Sequence, residues 1–372
     1  MVEKKHKNLK FDFLIVGTGF SGAVFAQRAA NKGYSVLIID KNNFIGGASH
    51  DCYNSDGVLI HKFGAHIFHT NNKIVWDYLS NFTQWIDYKH KVKANIGGKL
   101  YSFPININTL NSLYNLNLDE KTVLKYLENQ RIIKDTIENS EDQILSTFGE
   151  DLYKKFYKFY TKKQWGVWPS QMFLDINKRI EIRPNFNDNY FTDIYQGIPK
   201  QGYTELIKNI LQHKNIKIEL NTKFDLIKNK INYKNLIYTG RIDEFYNFKF
   251  GKLAYRSINF EYETIEKEFF QEVAVVNFTE NLKTKYTRIV ESKRMTKQEI
   301  PITTIIKEFP TSKGEPYYPM PQIKYSELYN KYKSLSALTK NTYFLGRLAE
   351  YKYLNMDQVC LNSLKLFDEI CG

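Results

Sequence analysis

With 372 residues, the chain is long enough for two or three structural units around a substantial core. At 42% hydrophobic and 25% charged residues it is expected to be soluble and globular, and no apolar run approaches the ~20 residues of a membrane span, which argues against membrane insertion. The net charge of +13 accompanies Lys, Asn and Ile scattered along the whole chain instead of one basic patch, so no nucleic-acid partner is expected and an anionic ligand is favoured only weakly.

The lysine-rich start (Lys4, Lys5, Lys7, Lys10) runs straight into the first strand with no signal-peptide core, and a cytoplasmic location is the expectation. The rest of the chain is organised around the stretch 13–40, FLIVGTGFSGAVFAQRAANKGYSVLIID. An apolar run of strand type leads into Gly17-Thr18-Gly19-Phe20-Ser21-Gly22, which fits G-x-G-x-x-G. Ala23, Ala26, Ala29 and Ala30 then share a helical face, and residues 34–39 form a second buried strand. Such glycines turn a strand tightly into a helix whose free N–H groups face a pyrophosphate, and Asp40 stands where a carboxylate can bind a ribose. The turn predicts a dinucleotide site. Ile45-Gly46-Gly47-Ala48 adds a second glycine turn after the acid, which favours a flavin over a nicotinamide.

In His61-Lys62-Phe63-Gly64-Ala65-His66-Ile67-Phe68-His69-Thr70 three histidines lie close together, but no neighbouring carboxylate or cysteine completes a ligand set and no metal is expected. His66 is read instead as a polar group carried on a tight bend near the cofactor. Cys52, Cys360 and Cys371 are too few and too scattered for a disulfide framework or a thiolate metal site.

Residues 106–180 are rich in helix formers, most clearly over 118–137 and 144–160, and predict a helical unit. Residues 84–104 and 241–310 hold β-branched and aromatic runs, such as 274–278 and 302–306, that suit an antiparallel sheet. Residues 216–220 and 236–240 read as further parallel strands, and 343–347 as a strand running into a loop and a final helix. The fold class expected is α/β: a discontinuous Rossmann-like FAD-binding domain (1–75, 197–240 and 335–372), with an inserted helical bundle (105–180) and an antiparallel β-sheet unit (80–104, 181–196 and 241–334).

Three patches stand out for chemistry: Tyr160-Thr161-Lys162-Lys163-Gln164-Trp165-Gly166, the stretch 178–191, and the stretch 346–357. Singly they are a helix end, a strand edge and a surface loop. Taken with GTGFSGA, IGGAS, GAHIFHT, FPININT, QGIPKQGYT, YRSINF, YTRI and PYYP, the motifs YTKKQWG, DNYF and GRLAEYKYLNMD occur in the order seen in prokaryotic UDP-galactopyranose mutases, and almost the whole chain resembles that family. The resemblance implies a flavoenzyme that interconverts UDP-galactopyranose and UDP-galactofuranose without net redox change. It implies FAD active when reduced, NAD(P)H as reductant, a flavin N5–sugar adduct, galactofuranose supplied to cell-surface glycans, and a homodimer.

It also implies roles for residues of this sequence. FAD would be held by Gly17, Gly19, Phe20, Ser21, Gly22, Asp40, Lys41, Gly46, Gly47, Ala48, His66, Ile67, Gly346, Arg347, Tyr353, Leu354, Asn355 and Met356. Phe156 and Tyr160 would hold the uracil, Tyr190 and Phe191 would close over the nucleotide, and Trp165 would shield the sugar. Arg179 and Arg288 would clamp the diphosphate, with Arg256, Tyr318 and Tyr353 also at the substrate, and His66 would set the electronics of the flavin. The sequence departs from the family pattern at Asn355, where an acidic residue is common, at Ala65 and Arg241, where proline is usual, and at Ser292, where histidine is common. The alternatives are a sibling mutase acting on UDP-N-acetylgalactosamine or a dTDP-deoxyhexose, an amine-oxidase-like flavin oxidoreductase, and a nucleotide-binding protein without turnover.

Overall fold

The structure, a computed structural model, describes residues 10–173 and 183–372. Strand β1 (Lys10–Val16) lies at the centre of a five-stranded sheet, flanked by β2 (Val36–Ile39) and by Asn232–Tyr238; Ile216–Glu219 and Thr342–Phe344 form the edges. All four pairings are parallel. The sheet is thus assembled from three separated stretches of chain. Parallel strands packed on both faces must be apolar throughout, which explains why Val36–Ile39 alternates not at all and is fully buried.

Helix α1 (Phe20–Asn31) lies on this sheet and is buried on nearly every side. Its alanines bring the helix close to β1, while Phe25 stacks edge-on to Phe13 and to Phe367 of the C-terminal helix Met356–Cys371. Ser363 Oγ donates to the carbonyl of Ser21, so the last helix is tied to the first turn of α1. The final helix therefore shapes the cofactor end of the sheet.

The helical region differs from the sequence pattern at two places. Of the helix expected over 118–137, only Val123–Gln130 forms. Asp119 Oδ1 accepts from the backbone of Lys121 and Thr122 and so holds the preceding residues in a turn, and Gly149 packs against the Gln130 carbonyl, where any Cβ would collide. The helix expected over 144–160 is likewise interrupted. Ser140–Leu152 kinks at Gly149 (φ 78°), and a π-helical turn, Tyr153–Lys158, precedes Phe159–Trp165. The Asp119 turn is local, whereas the approach of Gly149 to Gln130 is a tertiary contact that periodicity does not encode.

A seven-stranded sheet runs in the order Tyr318–Pro319, Tyr255–Ile265, Thr303–Thr311, Arg288–Glu291, Val275–Phe278, Val92–Ile96, Lys99–Phe103. It is antiparallel except where Val275–Phe278 pairs in parallel with Val92–Ile96, a joint the expected all-antiparallel unit did not include. Tyr195–Pro199 joins neither large sheet. It lies between Phe68–Thr70 and Trp85–Asp87 in a small antiparallel sheet of its own.

Candidate active site

The turn between β1 and α1 is built from glycines that cannot be replaced for two different reasons. A Cβ on Gly22 would collide with the Gly17 carbonyl, so this glycine permits close packing of helix on strand. A Cβ on Gly19 would meet nothing closer than 3.9 Å, and what it approaches is the backbone of Gly46 and Gly47. The α1 N-terminus has no side-chain cap and no acidic residue in its first turn, so its free N–H groups and positive dipole end face this cradle of bare backbone. Gly346 closes a third side against Ser21. The residues present thus fit a dinucleotide pyrophosphate.

Asp40, expected at the ribose, is engaged on both oxygens by its own chain. Oδ2 accepts from Thr18 N (2.9 Å) and Thr18 Oγ1 (2.7 Å), and Oδ1 accepts from Asn42 N (2.9 Å) and Asn42 Nδ2 (3.0 Å). The contacts seen therefore brace the glycine turn, and Thr18, which the sequence pattern alone does not single out, is the partner. Lys41 forms an exposed ion pair with Glu315 (2.6 Å) at the surface. Ala48 lies in the short turn Gly47–Ser49. Asn355 occupies the N-cap position of the final helix, its N–H donating to Gln358 Oε1, and Met356 is the first helical residue.

His66 lies on a loop pinned from both sides. Its backbone N–H donates to His61 Nδ1 (3.1 Å), and its own Nδ1 pairs with the Gly64 carbonyl (2.8 Å). Desolvation, aided by His61, lowers the His66 imidazole to about 3, so the ring is neutral at ordinary pH. Ile67 beside it is buried. Arg288 stands next to the same loop, since a Cβ on Gly64 would lie 2.7 Å from Glu308 Oε1 and 3.6 Å from Arg288 Nη2. Arg288 Nε donates to Glu308 Oε2 at 2.6 Å from a carboxylate with no exposure. Burial opposes the charge, but Glu308, with Tyr160 and Tyr318 beside it, outweighs that cost and keeps the guanidinium ionised. Only Nε is spent on this pair; among the described residues the two Nη groups make no hydrogen bond. A charged fork is left for an anion.

Around it gathers an aromatic cleft. Tyr160 lies within electrostatic reach of Arg288, Tyr190, Glu308 and Tyr353, and burial raises its phenol well above the usual range. Tyr318 packs 5.2 Å from Tyr353, and Trp165 is edge-on to both at 6.2 Å. Arg347 lies over Tyr318 and Tyr353 and fastens the turn by donating to the Leu354 carbonyl (2.6 Å). Phe191 stacks on His69 at 3.6 Å, His69 pairs with Asp193 (2.8 Å), and the Tyr190 N–H donates to the His90 carbonyl (2.6 Å).

The structure does not bring every expected residue here. Phe156 is 1% exposed and stacks on Phe103 within the helical core. Arg256 is engaged by the helix backbone, donating through Nε to the Gln164 carbonyl (2.8 Å) and through Nη2 to that of Lys163 (3.1 Å). Arg179 lies outside the described residues. Glu308 was missed, although a lone carboxylate in the strand-like run TTIIKEF is the kind of signal that could have found it. Ser292, at a departure from the family pattern, is fully buried with its Oγ accepting from His61 N. Among the described residues no cluster of His, Cys, Asp and Glu could hold a metal ion, and no helix is long and apolar enough to cross a membrane.

Together with His66, two further histidines give the site a pH signature. Desolvation lowers His61 from 6.5 to about 4, and desolvation together with Arg288 lowers His90 to about 3. Below pH 6.5 the unfolded chain therefore binds protons that the folded chain refuses. Stability is complete above that value and falls on acidification by roughly 1.4 kcal/mol per pH unit for each histidine. The thermal midpoint should be clearly lower at about pH 5 than at pH 7.5; equal midpoints would mean that these rings are protonated in the fold.

A parallel sheet with a glycine cradle at its first turn, beside an aromatic cleft carrying an ionised arginine fork, defines an α/β enzyme that uses a nucleotide cofactor. The family described as NAD(P)-binding Rossmann-like domain matches residues 15–82, and that described as UDP-galactopyranose mutase matches residues 155–353. The "Probable UDP-galactopyranose mutase" of Klebsiella pneumoniae is 39% identical over 96% of this chain and 94% of its own length. The dTDP-fucopyranose mutase of Escherichia coli is 37% identical over 94% and 95%, and the UDP-galactopyranose mutase of Mycoplasma genitalium 33% over 95% and 93%. A crystal structure of reduced UDP-galactopyranose mutase shares the fold with a TM-score of 0.80 at 17% identity, covering 98% of this chain and 94% of that one. The chain belongs to the UDP-galactopyranose mutase family and is a flavoprotein isomerase of that family.

Proposed function

We propose that the protein interconverts UDP-galactopyranose and UDP-galactofuranose, with FAD lying along the Gly17–Gly22, Gly46–Gly47 and Gly346 cradle. The observation that carries the reading is the Arg288 fork, paired through Nε with Glu308, its two Nη groups without a hydrogen bond among the described residues, beside Tyr160 and the His66 loop. A nucleotide diphosphate is already a good leaving group, so the site needs a cation clamp more than a strong general acid. Arg288, with Arg179 as its expected second jaw, holds the departing UDP for its return, and Tyr318 and Tyr353 wall the sugar. Reduced flavin, when bound, supplies through N5 the nucleophile that the described residues do not, and NAD(P)H is the proposed reductant. Neutral His66, its Nδ1–H spent on the Gly64 carbonyl, would accept at Nε2 without adding charge to the site. The reading carries with it a cytoplasmic homodimer that provides galactofuranose for cell-surface glycans.

A sibling specificity is the second reading. It is favoured by the 37% identity to a dTDP-fucopyranose mutase and by Asn355, which places an uncharged amide where the family pattern has an acid. Incubating reduced protein with UDP-galactose, UDP-N-acetylgalactosamine and dTDP-fucose, then separating pyranose from furanose, decides between them. UDP-galactose is expected to be turned over fastest; preference for a dTDP sugar would establish the sibling activity.

A further inference from the structure

Lys163 makes an unusual set of contacts for a lysine in a motif otherwise read for its aromatic residues. Its Nζ donates to the carbonyls of Phe278 (2.6 Å), Tyr286 (3.1 Å) and Thr284 (3.2 Å), using all three ammonium protons on backbone far away in sequence. Those carbonyls belong to the connection between Val275–Phe278 and Arg288–Glu291, and Tyr286 lies two residues before Arg288. The connection is preformed to converge on a cation. Phe278 N donates to the Thr287 carbonyl, and Asn281 Oδ1 accepts from Lys283 N and Thr284 N. Meanwhile the backbone carbonyls of Lys163 and Gln164 are gripped by Arg256, and Gly166 ends the helix where a Cβ would press on Arg256 Nη1 at 3.0 Å.

We propose that Lys163 is a positioning residue that latches the Tyr160- and Trp165-bearing helix to the hairpin carrying Arg288, so that the aromatic and cationic halves of the cleft are held in one register. The inference rests on reading that cleft as the UDP-sugar site. Arg256 is the second half of the latch: it fixes the helix backbone from the Tyr255–Ile265 strand while Lys163 fixes it to the neighbouring loop. Among the described residues the ammonium is answered by carbonyl dipoles only, three acceptors matching its three protons, and burial lowers it to about 8. A side chain needed only to stabilise the fold could be replaced by an apolar one of equal length without altering the cleft.

Lys163→Met and Lys163→Arg test this, with flavin content and thermal midpoint recorded for each and UDP binding measured by calorimetry on the flavin-loaded protein. Lys163→Met is expected to keep its flavin, to bind UDP on the order of tenfold more weakly and to lose ~100-fold in kcat, because a displacement of about 1 Å between the two halves suffices for that. Lys163→Arg keeps the charge and two of the three donations, and is expected to recover most of the UDP affinity. A Lys163→Met protein with a lowered midpoint but unchanged UDP affinity and kcat would overturn the proposal, leaving the cleft assignment intact. If Lys163→Met does not fold, a folded Lys163→Arg with as little UDP affinity as an Arg288→Ala protein overturns it, and one with near-parent affinity supports it. A parent protein that binds no UDP would overturn the cleft assignment and the latch together.

Discussion

Gly19→Val is expected to give a folded, colourless protein with no measurable mutase activity. The reason lies in where the new side chain goes. A Cβ at Gly19 makes only ordinary contacts with the Gly46–Gly47 backbone, at 3.9 Å, and the φ of −72° suits any residue, so the apoprotein fold tolerates it. The branched carbons then occupy the space through which a pyrophosphate must approach the α1 N-terminus. Gly22→Val serves as the contrast, because its Cβ meets the Gly17 carbonyl and should unfold the first strand–helix unit altogether. Visible flavin absorbance per mole of purified protein, with circular dichroism as the check on folding, separates the two. Gly19→Val that purifies fully yellow would remove the cofactor from this cradle.

Arg288→Ala has the second largest expected effect, and it has two parts. Loss of the charged fork removes one to two charge-assisted bonds to the diphosphate, ~1.5–3 kcal/mol each, which predicts a fall in kcat/KM of ~10-fold to ~10⁴-fold. It also leaves Glu308, with no exposure, as a buried carboxylate without its partner, a change that destabilises folds by about 3–5 kcal/mol. Arg288→Lys separates these parts. An ammonium can answer Glu308 but cannot present the planar fork, so stability should return while turnover stays low. Near-parental kcat/KM in a folded Arg288→Ala protein with its flavin bound would reduce Arg288 to a structural ion pair within the sheet.

The parts of this site that were legible in the sequence are those made by neighbours in the chain. The glycine turn, the α1 alanines and the edges of the parallel strands follow from local geometry, and so does the bend carrying His66. What stayed hidden is what long separation brings together: Thr18 under Asp40, Glu308 behind Arg288, Lys163 on the 278–286 connection. Resemblance placed Arg256 and Phe156 at the substrate because their motifs match, yet packing directs one to carbonyls and the other into a core. The helix breaks at Gln130 and Gly149 were unreadable for the same reason, since the two meet only in the fold.

The most direct test of the central claim is to count product and reductant together. UDP-galactofuranose is given to protein with its flavin reduced, and to the same preparation reoxidised, and UDP-galactopyranose is separated and quantified while the flavin spectrum is followed. Many turnovers are expected from the reduced form with no reductant consumed per product, and essentially none from the oxidised form. Equal turnover by oxidised protein, or one reductant consumed for each product, would contradict that claim.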